Sequence, residues 1–564
     1  MTHQDRLVAG TRLIAATLFL GAWGWVSSAA AAANRAECAS QAALSIPAGL
    51  IGLPTSGARV TAAALVPAAG SGPGAIGAYC QVSAEIAPVD PAAPKIKLII
   101  NLPEAWNGKG LMFGGGGYDG TIPDATGNVP AGPLGVPVPL ARGYATFSSD
   151  SGHEGTSLTG SFGLNDEALH NFAGDALKKT RDVALVLMRH RYGDVPIRRM
   201  YFVGGSSGGR EALAVVQRWP QDWDGIVAQY PAWNAATLDL QFGRITRALA
   251  AAGAYPNKAK RRALYDSAMA ACDALDGAMD GLISDVAGCN RIFDPATATL
   301  DGRPLRCTGG ADTGDTCLSD AQIAALKTLA TSVAFDYPLG SGETQYPGFN
   351  IWGADLGLDG SNPQQPRVIQ LALNNSQPAA PMPADAPFAG IFWDQWIKYF
   401  VTRDPNFDSL SVDPQNPGRW AARIGELAKI QDVNKTDLSA FRARGGKILL
   451  AHGSADVLVS TRSTEQYFRR LESTMGARRT RDFVRYYEIP GFGHFVSTVF
   501  NASWDSLGAL ENWVEHGQAP RQLQVADTIG VPGRTRPLCE FPSWPRYNGA
   551  GDVNKATSFV CVSP

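Results

Sequence analysis

The sequence predicts an α/β protein with a mostly parallel central sheet, helices on its faces and one large insertion. Two observations carry this expectation. From about residue 96 to 233, and again from 441, short apolar strands alternate with helical segments, which is the rhythm of parallel strands joined by crossover helices. Between 234 and 440 the rhythm stops, and the chain becomes rich in Asp, Gly, Pro and aromatic residues. The chain therefore divides into an export signal (1–33), a first core part (34–233), an inserted lid domain (234–440) and a second core part with a disulfide-tied tail (441–564).

The elements follow in order. Arg6 and Arg12 open the chain, residues 13–26 are apolar, and residues 27–33 are small enough for cleavage near 31–33. The apolar run is shorter than the roughly 20 residues of a membrane span. A secreted or periplasmic protein that keeps no membrane contact after cleavage is expected. Residues 96–102 and 109–113 read as strands around a turn at Trp106, Asn107 and Gly108, and the second runs into Gly114 to Gly117. Residues 144–148 are the next strand. Residues 175–192 form a helix, because Ala176, Lys179, Val183, Leu187 and His190 share one face. A strand at 200–203, a helix at 211–218 and a strand at 225–228 complete the first part. After the insertion come strands at 447–451 and 484–489 and a helix near 503–515.

Of 564 residues, 45% are hydrophobic and 18% charged, with a formal net charge of −2. Nothing in that balance attracts nucleic acid or an anionic membrane. All eight cysteines (Cys38, Cys80, Cys272, Cys289, Cys307, Cys317, Cys539 and Cys561) follow the signal. An even number in an exported chain suits disulfides, although counting does not choose the pairing.

The chemistry begins at Gly204-Gly205-Ser206-Ser207-Gly208, a G-x-S-x-G pattern between a strand and a helix. Such a turn strains the backbone, tolerates only small neighbours and exposes the serine oxygen near a helix N-terminus. Ser206 is the candidate nucleophile and requires a base. In α/β-hydrolases the chain order is serine, acid, histidine, which leaves His452, His494 and His516. His494 sits in a loop just after a strand, whereas His516 ends an amphipathic helix. Asp456 follows the strand at 447–451 in a turn, the place for the acid that orients the base. An oxyanion needs two backbone donors. The N–H of Ser207 is one, and the 114–117 glycine loop supplies the other. In the insertion, Asp273, Asp276, Asp280 and Asp285 are spaced by glycines as in loops that wrap calcium. Trp352, Phe392, Trp393 and Trp396 are aromatic candidates for stacking on an aromatic acyl group. No organic cofactor is required.

These motifs resemble the tannase and feruloyl esterase family of α/β-hydrolases. The resemblance runs over nearly the whole mature chain: the Trp106 turn, the 114–120 loop, 205–211, 222–227, 272–285, 453–456, the His494 loop and 535–539. It implies a serine carboxylic-ester hydrolase with the triad Ser206, Asp456 and His494, and oxyanion donors at Gly117 and Ser207. It implies calcium on Asp273, Asp276, Asp280 and the carbonyls of Ala278 and Leu282. It also implies disulfides Cys38–Cys80, Cys272–Cys289, Cys307–Cys317 and Cys539–Cys561. The implied partner is a small aromatic ester, feruloyl first, a terephthalate-type monoester second and a galloyl ester third. In one respect the chain departs from the family. Family members usually carry bonded cysteines at the positions of Gly205 and Phe495. Without them the triad is expected to be looser, or held by Phe495 packing on the Gly205 backbone. The alternative class is an inactive calcium-stabilised binding protein, against which the intact Ser, Asp and His argue.

Overall fold

The computed structural model describes residues 37–563, so the expected export signal lies outside the described residues. Ten strands form the central sheet: β1 (Ser45–Ile46), β2 (Ala58–Val66), β3 (Tyr79–Ile86), β4 (Ile96–Pro103), β5 (Lys109–Phe113), β6 (Ala145–Ser149), β7 (Arg199–Gly205), β8 (Gly225–Gln229), β9 (Lys447–Gly453) and β10 (Val484–Ile489). Their order across the sheet is β1-β2-β3-β4-β6-β5-β7-β8-β9-β10. Pairing is antiparallel from β1 to the β4–β6 pair and parallel from β6 to β10. The parallel strands are buried on both faces. β8 (Gly-Ile-Val-Ala-Gln) has no exposed residue, as a strand covered by helices on both sides requires.

Two helices matter for the site. Helix α1 (Ala176–Tyr192) covers one face, and α2 (Ser207–Arg218) leaves the end of β7 at once. The strands β2 and β3 escaped the sequence reading. In β2 the alanine-rich stretch is largely exposed and carries no clear apolar alternation, and β3 alternates small and polar residues with few large apolar ones. The helix at Thr461–Met475 escaped it as well.

The insertion falls between β8 and β9. Its helices include α3 (Ala235–Ala250), α4 (Lys258–Cys272), α5 (Gln365–Leu371) and α6 (Phe388–Gln395), and α7 (Thr461–Met475) follows β9. The inserted segment has its own apolar core, which includes Trp393, Trp396, Ile424 and Leu427 and is continuous with Tyr118, Phe162 and Phe172 of the first core part.

All four implied disulfides are present, Cys38–Cys80, Cys272–Cys289, Cys307–Cys317 and Cys539–Cys561, and no described cysteine is free. Among the described residues no helix is long and apolar enough to cross a membrane.

The register of the parallel strands positions the site. Gly205 pairs with Gln229, Gln229 with Ala451, and Gly453 with Ile489. The segments that leave these strand ends, carrying Ser206, Tyr230, Asp456 and His494, therefore emerge together at one edge of the sheet, the usual place for a site in such a fold.

Candidate active site

Ser206 sits at the turn from β7 to α2 with φ 60° and ψ −123°. Small neighbours are obligatory here. A Cβ added to Gly204 would lie 2.8 Å from the Gly208 Cα, and one added to Gly209 would lie 2.9 Å from the Pro231 Cα. The strained turn is held by its own backbone. The Ser206 N–H donates to the Gln229 carbonyl at 3.0 Å, and the Ala232 N–H donates to the Ser206 carbonyl at 3.1 Å.

His494 bridges the other two side chains. Its Nε2 lies 3.0 Å from the Ser206 Oγ and its Nδ1 lies 2.8 Å from Asp456 Oδ2. Asp456 is fully buried, and its Oδ1 accepts the N–H groups of Leu458 and Val459 at 2.8 and 2.9 Å. Burial alone would raise this carboxyl. The charge of His494 and hydrogen bonds from His452 and His494 outweigh it and hold Asp456 well below the usual carboxylate range. His452 has a place here that sequence reasoning did not give it. Its Nε2 faces both Asp456 Oδ2 at 3.2 Å and the Val459 carbonyl at 3.0 Å, so that nitrogen carries the hydrogen. Its Nδ1 meets the Thr464 hydroxyl at 2.8 Å.

The glycine loop lies beside the serine. Gly117 has φ 61°, and a Cβ there would run into Ser157. The Ser207 hydroxyl donates to the Gly117 carbonyl at 2.6 Å, and Glu211 of α2 accepts the Gly115 N–H at 2.9 Å. Helix and loop are thus tied together. Among the described residues the Gly117 N–H finds no acceptor. Ser207 is the first residue of α2, where an N–H has no intrahelical partner. Both amides are free to serve a ligand.

Two voids meet at Ser206. An outer cleft of about 340 Å³ is bounded by Gly114 to Gly117, Arg367, Phe388, Phe495 and His494. A narrow inner recess of about 50 Å³ is walled by Tyr118, Phe172, Phe242 and Phe392. Arg367 of α5 stands at the cleft between the rings of Phe388 and Phe495, at 5.5 and 5.2 Å. It donates to Gln370 at 3.1 Å and has no ion-pair partner among the described residues. No short motif in the sequence marks it.

Several expectations need correction. Of the four aromatic candidates only Phe392 reaches the Ser206 cleft. Trp393 is fully buried, packs on Gly243 of α3 and donates its indole N–H to the Ser409 carbonyl at 3.0 Å. Trp396 is also fully buried and bonds Gln431 at 3.1 Å. Both belong to the core of the insertion. Trp352 packs on Phe293 and lines a separate cleft of about 760 Å³ behind the Asp456 and His494 loops. Phe495 does not pack on Gly205. It is 42% exposed and stacks with Arg367, because the space beside Gly205 is already taken by the ring of Tyr230.

In the acidic loop, Asp273 accepts the N–H groups of Gly281 and Leu282 at 3.1 and 3.0 Å, and Asp276 those of Ala278 and Ser284 at 3.1 and 2.9 Å. Asp280 Oδ2 pairs with Arg536, while its Oδ1 is buried without a partner. Burial first, and the Asp280 charge last, push Asp276 up to about 6 against the hydrogen bonds from Ser284 and Ala278 that lower it. Among the described residues no three His, Cys, Asp or Glu side chains converge closely enough to hold a metal. In kind the carboxylate and carbonyl oxygens of this loop are hard donors, and Asp280 Oδ1 is a buried oxygen without a partner.

The geometry joins a serine, a histidine and an aspartate as in hydrolases with a serine nucleophile, and comparisons with known proteins show the class of bond. The model of the tannase and feruloyl esterase family matches residues 80–562. An uncharacterised esterase of Agrobacterium fabrum is 40% identical over 99% of this chain and 98% of its own. The mono(2-hydroxyethyl) terephthalate hydrolase of Piscinibacter sakaiensis is 31% identical over 86% of this chain and 85% of its own. Among solved structures, feruloyl esterase B from Aspergillus oryzae superposes with a TM-score of 0.73 at 24% identity, covering 90% of this chain and 98% of its own. The protein is a carboxylic ester hydrolase with the α/β-hydrolase fold. It belongs to the tannase and feruloyl esterase family.

Proposed function

We propose that the protein is a secreted serine esterase that cleaves esters of aromatic acids, feruloyl esters first, through an acyl-enzyme on Ser206. The observation that carries this reading is the contact chain from the Ser206 hydroxyl through His494 to Asp456, at 3.0 and 2.8 Å. His494 takes the proton as Ser206 attacks the ester carbonyl, and the N–H groups of Gly117 and Ser207 stabilise the oxyanion. The alcohol leaves with the proton from His494, and water repeats the sequence to free the acid. The rings of Phe388, Phe392 and Phe495 along the outer cleft suit a planar acyl group. The insertion acts as the lid, since it supplies Arg367, Phe388 and Phe392 to the cleft. Export is supported by the four disulfides. Calcium held by Asp273, Asp276, Asp280 and the carbonyls of Ala278 and Leu282 would neutralise the acidic loop and stiffen it.

A second reading, a terephthalate-type monoesterase, is favoured by Arg367. A guanidinium at the cleft without an acidic partner suits a substrate that keeps a free carboxylate. The relative named for terephthalate monoester hydrolysis agrees with this reading. Galloyl esters rank third. One panel decides: methyl ferulate, methyl gallate and mono(2-hydroxyethyl) terephthalate with wild type, Ser206→Ala and Arg367→Ala. Ser206→Ala should lose about 10⁴-fold or more in kcat on every substrate. If feruloyl esters are the substrate, Arg367→Ala changes the ferulate rate little. A loss of about 10-fold or more confined to the terephthalate monoester supports the second reading. Equal background rates for wild type and Ser206→Ala would favour a binding protein.

A further inference from the structure

We propose that Tyr230 is a positioning residue for His494: its ring occupies the space beside Gly205 and backs the imidazole that bridges Ser206 and Asp456. The proposal rests on the serine-esterase reading above. Three observations carry it.

The first is backbone strain. Tyr230 follows β8 directly and has φ 35°. A bulky residue in that region is strained and persists only where its surroundings over-determine it. Here they do. The Tyr230 N–H donates to the Ala451 carbonyl at 2.7 Å, while Gln229 and Ala232 on either side bond the Ser206 backbone.

The second is the fit at Gly205. A Cβ added there would lie 2.5 Å from both Cζ and Oη of Tyr230. The ring therefore lies directly on the backbone of the residue before the nucleophile, and no side chain at 205 can coexist with it in this position. The third is the contact with the base. The Tyr230 ring meets the His494 imidazole edge to face, with centroids 4.9 Å apart at 60°. It also reaches Phe492 at 6.2 Å and His452 at 6.4 Å.

A ring wedged between the nucleophile's backbone and the base removes free volume into which the imidazole would otherwise rotate. Burial, and then the charge of Asp456, push the phenol up, so the wall stays neutral and does not compete for the proton on His494. Gly205 and Tyr230 are consequently a matched pair. The glycine admits the ring, and the ring holds the histidine.

The test measures kcat, KM and melting temperature on p-nitrophenyl acetate for Tyr230→Ala, Tyr230→Phe, Gly205→Ala and the double variant Gly205→Ala/Tyr230→Ala. Tyr230→Ala should lower kcat by about 10²-fold with KM changed by less than about two-fold, the signature of a misplaced catalytic group. Tyr230→Phe keeps the ring and should stay within about three-fold of wild type in kcat. Gly205→Ala should be impaired, and the double variant no worse than Tyr230→Ala, because the clash disappears with the ring. Tyr230→Leu replaces Tyr230→Ala if the latter does not fold, with the same loss expected. The proposal is overturned if removing the ring leaves kcat within about two-fold of wild type, if Phe is as impaired as Ala, or if the losses in the double variant simply add. A wild type no faster than Ser206→Ala would instead overturn the esterase reading itself.

Discussion

Ser206, Gly117 and Tyr230 all have positive φ, at 60°, 61° and 35°, and all three lie where the chain turns around the nucleophile. Ser206 and Tyr230 store strain in this region, as residues at functional sites often do, whereas Gly117 adopts it freely for want of a Cβ. Gly117 allows a direct check. Its positive φ and the nearness of Ser157 leave no place for a Cβ, so Gly117→Ala must rotate the peptide whose N–H faces the cleft. Loss of one oxyanion donor should lower kcat by about 10²–10³-fold while the melting temperature falls only modestly. Steady-state kinetics beside a thermal melt check this; a large loss of stability at unchanged kcat would sink it. The nucleophile, acid and base were readable in the sequence because each lies in a short motif whose strand context is local. His452, Tyr230 and Arg367 were not, because their roles arise from contacts across the sheet or across the insertion that no spacing along the chain encodes. Tyr230 offered only the faint signal of a bulky residue directly after a buried strand.

The loops that carry the site are supported by elements far from them in sequence. Leu282 of the acidic loop reaches Gly491, three residues before His494, and joins the same apolar cluster as Tyr230 and Phe492. The acidic loop thus supports the base as well as closing on itself. If calcium binds there, chelation should lower the melting temperature and also reduce kcat, with both restored by added calcium. A chelator that leaves the melting temperature unchanged would show that the loop needs no ion. Strands 109–113 and 484–489 are legible in the sequence with their observed limits, since the first is a short apolar run that ends in glycines and the second is rich in β-branched and aromatic residues and stops at Pro490-Gly491. The insertion was read as a break in rhythm, but composition alone did not tell which aromatic side chains face the cleft. Phe392 and Trp393 are adjacent on α6 and point to different surroundings, one to the Ser206 cleft and one to Gly243.

The folded chain as a whole contains carboxyls whose burial sets its response to pH. Burial pushes Asp150 and Asp432 up to about 7. Each keeps its proton up to that pH when folded, but only to about pH 4 when unfolded. Between those values the folded protein holds more protons, so these two groups make stability fall as pH rises. Below about pH 4 they are protonated in both states and contribute no slope. Asp456 acts in the opposite sense. Its stabilising contribution is present above the unfolded value and is lost as pH falls through its depressed folded value. Asp432→Asn should therefore raise stability at pH 8 by about 1–2 kcal/mol and have little effect near pH 4, as urea denaturation at the two pH values would reveal. An equal effect at both would contradict the assignment.

The decisive measurement is covalent capture of the nucleophile. The protein is treated with an aryl-ester-mimicking fluorophosphonate and digested, and the labelled peptide is sequenced by mass spectrometry. The expected result is one adduct per chain, on Ser206, with activity lost in proportion and no labelling of Ser206→Ala. Full inactivation with the label on another residue, or turnover that survives complete labelling of Ser206, would contradict an acyl-enzyme at this position.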